Sequence, residues 1–221
     1  MRINRYIALA TGMSRRAADQ AILGGRVAIN GQPARPSDQT NKGAVVTLDG
    51  KTVAASTVLQ TILLNKPAGY VVSRDGQGSK TIYDLLPATM KHLKPIGRLD
   101  KDSSGLLLLT NDGKLAHRLT HPSFHKAKIY EVTLDQALQP LHRQMISDIG
   151  VLLDDGPSKL QLERLADGDD TRWRVTMHEG RNRQIRRTFA CLGYTVTRLH
   201  RTYFGEYQIG DIKPGAFTNL S

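Results

Sequence analysis

Three short segments concentrate the residue types that can do chemistry. Gly97-Arg98-Leu99-Asp100-Lys101-Asp102-Ser103-Ser104-Gly105 crowds charged and small residues immediately before the apolar run Leu106 to Leu109. A carboxylate on a loop held by a rigid strand suits nucleophilic, acid–base or charge-stabilising work. The same residues also suit an ordinary polar turn in which Asp100 or Asp102 caps the backbone. In Lys128-Ile129-Tyr130-Glu131-Val132, strand alternation sends Lys128, Tyr130 and Val132 to one face. An aromatic ring beside a cation there can stack on a base, or serve simply as a half-buried strand residue. Glu179 to Arg187 carries Arg181, Arg183, Arg186 and Arg187 around the start of an expected helix. Cations at a helix N-terminus oppose its dipole, so phosphate contacts or ion pairs compete with a merely solvated face.

The surrounding pattern predicts the elements that position these residues. Ile3, Tyr6, Ile7 and Ala10 fall at helical spacing; Ser14 is a good N-cap for a second helix, which Gly24-Gly25 stops. Arg26 to Ile29 and Val45 to Leu48 read as strands closed by the turns Asn30-Gly31 and Asp49-Gly50. Residues 1–60 hold eight Lys or Arg and three Asp or Glu, a small basic module. The weakly punctuated stretch Ala54 to Gln60 is a candidate linker. Beyond it, strands are expected at Thr61 to Leu64, Leu106 to Leu109, Ala127 to Leu134, Lys159 to Arg164, Arg172 to Met177 and Tyr194 to Leu199. A turn is expected at Asn65 to Gly69, and helices at Gln139 to Ile149 and Asn182 to Leu192. Strands outnumber helices without strict alternation, which predicts an α+β fold with a largely antiparallel or mixed sheet. The expected domains are residues 1–54 and 61–221.

Composition narrows the partner. The 221 residues carry 31 Lys and Arg against 20 Asp and Glu, a formal charge of +11, which suits a polyanion such as nucleic acid. The single cysteine, Cys191, cannot form an internal disulfide or a Cys-type zinc site; a reducing compartment and a core-packing role are expected for it. No run approaches a membrane span and the N-terminus lacks the apolar stretch of a signal peptide, so a soluble, cytoplasmic protein with no membrane partner is expected, monomeric by default. There is no P-loop, G-x-G-x-x-G or G-x-S-x-G motif. His117, His121 and His125 recur at fours, but Pro122 interrupts the helix that would align them, so no metal site is expected.

Taken jointly, these segments resemble the bacterial ribosomal RNA pseudouridine synthases of the RsuA type. The resemblance rests on Leu64-Asn65-Lys66-Pro67-x-Gly69, Gly97-Arg98-Leu99-Asp100-x-x-Ser103-x-Gly105-Leu106, Lys128-x-Tyr130-x-Val132 and Glu179-Gly180-x-Asn182-Arg183-Gln184-Ile185-Arg186-Arg187, in that order and spacing. Ser14-Arg15-Arg16-Ala17, Gly25-Arg26-Val27 and Ile29-Asn30-Gly31 are similar to the ribosomal-protein-S4-like RNA-binding domain. The chain departs from the pattern at Thr188, where methionine is usual, and at Phe124-His125-Lys126.

The resemblance implies a pseudouridine synthase catalytic domain over residues 61–221 behind the S4-like domain. It implies Asp100 as the catalytic carboxylate, Tyr130 as the ring on the target base and Arg186 as the partner of Asp100. Arg98, Arg181, Arg183 and Arg187, with Arg15, Arg16 and Arg26, are the expected RNA contacts. The implied substrate is ribosomal RNA or an immature ribosomal subunit, with the Asn182 to Arg187 run more like large-subunit members. The implied reaction breaks the uracil N1 to ribose C1′ bond and joins C5 to C1′, so no cofactor is implied. The competing reading is a non-catalytic RNA-binding or ribosome-assembly protein that keeps the architecture.

Overall fold

The computed structural model describes residues 1–41, 43–55 and 58–220; Ser56 and Thr57, within the expected linker, lie outside the described residues. The chain separates into two compact units, Met1–Gln60 and Thr61–Ser221.

In the first unit, α1 (Ile3–Thr11) ends at Gly12 in the left-handed region, and α2 (Arg15–Leu23) opens on Ser14, whose Oγ accepts the Ala17 N–H at 3.0 Å. Ile3 and Ile7 of α1 and Ala18, Ala21 and Ile22 of α2 bury their faces together with Val27 and Val46. Strands β1 (Val27–Ile29), β2 (Gln32–Pro33), β3 (Val46–Leu48) and β4 (Lys51–Thr52) form an antiparallel sheet in the order β2-β1-β3-β4. Both turns expected from Asn-Gly and Asp-Gly are present, with positive φ at Asn30, Gly31, Asp49 and Gly50.

The second unit is built on nine strands. In chain order they are β5 (Thr61–Lys66), β6 (Lys94–Pro95), β7 (Ser104–Thr110), β8 (Lys128–Leu134), β11 (Gln161–Arg164), β12 (Arg172–Met177), β13 (Val196–Phe204), β14 (Tyr207–Gln208) and β15 (Phe217–Leu220). A separate hairpin, β9 (Val151–Leu153) with β10 (Gly156–Ser158), stands beside them. The main sheet runs β11-β12-β8-β13-β7-β5-β15, with β14 on β13 and β6 on β7; every pairing is antiparallel except β13 with β7. This is the mixed α+β sheet expected.

Both faces of the sheet are covered at β5 and β7, which explains why β7 reads as an unbroken leucine run, whereas β11 and β12 leave alternate residues exposed. Leu107 and Leu109 join the core under α5 (Gln184–Ala190), where Ile185 and Phe189 are buried. Leu106 and Leu108 pack on the other side with Leu115 and Leu119 of α3 (Gly113–Thr120). The helix expected at Gln139 to Ile149 divides into α4 (Pro140–Gln144) and a wider turn over Met145–Ile149 that Gly150 ends at φ 93°. Among the described residues no helix is long and apolar enough to cross a membrane.

Two expectations need correction. Asn65 and Lys66 belong to β5, not to the turn that follows, and both are buried, because β7 continues to pair with them through Leu106 and Gly105. Cys191 does not pack in the core: it is exposed, since α5 stops at Ala190 and buries its opposite side through Phe189.

Candidate active site

The loop carrying Asp100 is pinned from inside. Lys66, at the end of β5 and completely buried, donates from Nζ to the carbonyls of Pro67 at 3.1 Å, Asp100 at 3.1 Å and Ser103 at 2.7 Å. Burial pushes the Lys66 ammonium down to about 8, while the nearby Asp100 and Asp102 carboxylates pull the other way. Ser103 N–H closes the turn on the Asp100 carbonyl, and Gly69 N–H binds that of Lys101. Gly105 then allows β7 to meet β13: its φ is +105°, and a Cβ there would lie 2.3 Å from the Arg201 carbonyl oxygen. The strand that holds the carboxylate loop therefore needs a glycine at its entry.

Opposite this loop, Arg183 sits just before α5 in the left-handed region at φ 46°, an unusual state for a non-glycine residue. Its guanidinium reaches Asp102 through two hydrogen bonds, at 3.1 and 3.0 Å, and Asp100 at an ion-pair distance of 3.5 Å. The Arg183 hydrogen bonds hold the Asp102 carboxyl below the usual carboxylate range, with Arg186 and the charge of Arg183 adding to the effect against a smaller rise from burial.

Arg186 corrects the expectation that it partners Asp100. Its Nε lies 3.3 Å from Asp102 Oδ2, its Nη1 donates to the Val196 carbonyl at 2.6 Å and its Nη2 to the Asp102 carbonyl at 3.1 Å. Anchored to β13 from inside α5, the side chain ends on Asp102, and the carboxylate of Asp100 is left to Arg183.

A cleft of about 1030 Å³ opens over the loop, lined by Asp100, Arg98, Tyr130, Lys128, Arg183 and Arg201 among others. That is at the upper end of the sizes that take small molecules. Tyr130, in the middle of β8, is 7% exposed and presents its remaining surface to this space. Lys128, two residues earlier on the same strand, donates to the Glu179 carbonyl at 3.2 Å; burial and the neighbouring Arg201 both lower its pKa, and Glu179 partly opposes them. Such a cleft, with a carboxylate on one wall, an aromatic ring on another and several cations, can take a planar base and the sugar attached to it.

Several of the arginines expected to meet RNA are also engaged within the chain. Arg181 donates to Asp155 Oδ1 at 2.9 Å and to the carbonyls of Asp155, Gly156 and Pro157, and also meets Glu179. Arg187 ion-pairs with Asp154 and with Asp155 at 2.7 Å. Both thus fasten the β9–β10 hairpin to the segment before α5 and to α5 itself. Arg98 is exposed at the cleft. In the first unit, Arg26 makes a two-pronged ion pair with Asp49 at 2.7 and 2.6 Å, Arg15 touches Asn4 Oδ1 at 3.5 Å and Arg16 is exposed.

At Thr188, buried Oγ1 hydrogen-bonds Ser158 Oγ at 2.7 Å and the Gln184 carbonyl at 2.9 Å, so a small polar contact fills the position. His117 and His121 face each other with ring centroids 4.8 Å apart, and α3 ends before Pro122. The residues that sequence reasoning missed are Lys66, Asp102 as the main partner of both arginines, and Arg201. A lysine continuing the apolar strand Ile62 to Leu64 was the available signal for the first, and the crowded charge of the Asp100 segment for the second; nothing local marked Arg201.

Comparison with known proteins gives a consistent picture. Residues 60–191 match the family model described as RNA pseudouridylate synthase, and residues 1–46 match that of the S4 domain. A Mycobacterium leprae protein named as an uncharacterized RNA pseudouridine synthase is 38% identical over 100% of this chain and 89% of its own length. A Xanthomonas campestris protein named ribosomal large subunit pseudouridine synthase B is 36% identical over 94% of this chain, which spans only 44% of that protein. A crystal structure of a pseudouridylate synthase superposes with a TM-score of 0.72 at 33% identity, covering 100% of this chain and 96% of the other.

Proposed function

The chain belongs to the RNA pseudouridylate synthase family, and we propose that it isomerises specific uridines of large-subunit ribosomal RNA to pseudouridine, using Asp100 as the reacting carboxylate. The observation that carries this reading is that Asp100, on a loop tied internally by Lys66, lines one cleft with Tyr130 and lies 3.5 Å from the Arg183 guanidinium.

The chemistry asks for little else. The N1–C1′ bond breaks, the base turns and C5 bonds to C1′; a proton leaves C5 and one is added at N1, so atoms and oxidation state are conserved. Asp100, 3.5 Å from the Arg183 guanidinium, faces the sugar. There it can stabilise positive charge at C1′, attack covalently or take a ribose proton. Tyr130 stacks on the base and limits its movement while it is detached. Arg186 serves by fixing Asp102, which in turn orients Arg183. A target base must first leave its helix at a cost of a few kcal/mol, offset by cationic contacts from Arg98, Arg183 and the exposed Arg15 and Arg16 of the S4-like domain (residues 1–54). The large-subunit choice follows the Asn182 to Arg187 run and the name of the Xanthomonas relative. A monomeric, cytoplasmic enzyme fits this role.

The test is conversion of uridine in unmodified ribosomal RNA transcripts and immature subunits, mapped by carbodiimide-blocked primer extension. Wild type should convert a discrete uridine in large-subunit RNA and Asp100→Asn should not. Tight RNA binding by folded wild type without conversion of any uridine would overturn the reading in favour of an assembly role.

A further inference from the structure

Arg201 is a cation buried in the middle of the sheet. It lies in β13 between Gly105 of β7 and Tyr130 of β8, its registered neighbours on either side. The residue is 2% exposed, its Nε donates to the Leu106 carbonyl at 2.8 Å, and its guanidinium stacks 5.0 Å over the Phe204 ring. Nη2 is buried with no hydrogen-bond partner among the described residues, and Arg201 forms no ion pair there. Arg181 and Arg183, which line the same cleft, each meet carboxylates.

An arginine cannot shed its charge in a protein, and a buried charge without a counter-ion is strongly unfavourable. Lys128, a second cation near enough to lower its own pKa through Arg201, adds repulsion. Core packing does not account for this arrangement, whereas an anion formed in the cleft would relieve it.

We propose that Arg201 is a catalytic residue that binds the detached uracil as its anion, its guanidinium set against a carbonyl oxygen of the base, with Lys128 as the adjoining positive charge. This rests on the isomerase reading. When the N1–C1′ bond breaks, its electron pair stays on N1 and spreads to O2 and O4, so the base leaves as uracilate. Asp100 faces the sugar from which those electrons departed, and Arg201 faces the base that received them. C5 of the uracilate then supplies the pair for the new C5–C1′ bond, C5 loses its proton to a base, and N1 gains one. Because the anion exists only after cleavage begins, the interaction favours the transition state over bound RNA. A backbone phosphate is the other anion that could meet Arg201, but it would have to enter the interior, beside the nearly buried Tyr130, where a flat base fits better.

The experiment compares wild type, Arg201→Met and Arg201→Lys on large-subunit RNA transcripts made with uridine or with 5-fluorouridine, whose fluorine makes N1 a better leaving group and whose rearranged base, having no C5 proton to lose, adds water across N1 and C6. Single-turnover appearance of the rearranged nucleoside is read by chromatography and mass spectrometry of nuclease digests, RNA affinity by filter binding, and folding by circular dichroism. Arg201→Met should slow the uridine reaction about 100-fold without weakening RNA binding. The defect should shrink on 5-fluorouridine, because a better leaving group needs less help. Arg201→Lys should show the same trend with a smaller defect, and it carries the comparison if the methionine variant does not fold. Affinity falling in step with rate would make Arg201 a phosphate anchor, and equal defects on both bases, or none, would equally overturn the proposal. Failure of wild type to form any pseudouridine would instead sink the isomerase reading itself.

Discussion

Replacing Lys66 by methionine separates the stability of the site from its geometry. The change keeps a long apolar stem in β5 but removes the donor to the carbonyls of Pro67, Asp100 and Ser103. A buried acceptor left without a partner costs roughly 1–3 kcal/mol. The Ser103 contact is fully buried and the other two are part-buried, so the total is about 3 kcal/mol. In the opposite direction, holding a lysine at about 8 instead of its ordinary 10.5 costs the charged native state about 3 kcal/mol, which methionine does not incur. The two nearly cancel, so stability at neutral pH should change by about 1 kcal/mol or less.

The geometry has no such compensation. Without its internal tie the Asp100 loop can shift, and a displacement of about 1 Å costs roughly 100-fold in rate. The assays are single-turnover pseudouridine formation and urea denaturation at several pH values. Between pH of about 8 and 10.5, unfolded wild type holds a proton at residue 66 that the folded protein has released. Wild-type stability therefore gains from this group as pH rises through that window, and the variant should fall progressively behind. A folded variant with the wild-type rate would refute the positioning role. Parallel pH dependence of the two proteins would refute the buried, depressed lysine.

Gly105→Ala would place a Cβ 2.3 Å from the Arg201 carbonyl oxygen at a φ of +105°. A loss of about 3 kcal/mol in urea unfolding is expected, and a change within about 0.5 kcal/mol would exclude the close approach of β7 to β13. Asp102→Asn removes the main partner of Arg183 and Arg186, and a roughly tenfold slower reaction is expected as Arg183 loses its aim at Asp100. The native Asp102 carboxyl is held low, so its stabilisation exists above the ordinary carboxylate range and fades as pH falls through the native value. Asp102 and Arg183 are both about half exposed, which limits the stability loss to under about 1 kcal/mol. A rate loss as complete as that of Asp100→Asn would identify Asp102 as the reacting carboxylate instead.

Local signals made much of the fold legible. Asn30-Gly31 and Asp49-Gly50 demand positive φ, Ser14 caps α2, and the leucine run of β7 implies a strand covered on both sides; each follows from steric and burial rules acting within a few residues. Joint spacing of the Asp100, Tyr130 and Arg186 segments was enough to suggest the family. The choice of partners was not legible. Whether Arg183 or Arg186 meets Asp100 depends on one left-handed residue before α5 and on Val196, which holds Arg186 from β13. Lys66 reads as part of a turn and Arg201 as a surface cation in the sequence; only the register of β5, β7, β8 and β13 buries them behind the cleft. Periodicity reports which face of an element is apolar, whereas the burial and pairing of a charge are decided by strands that are far apart in the chain.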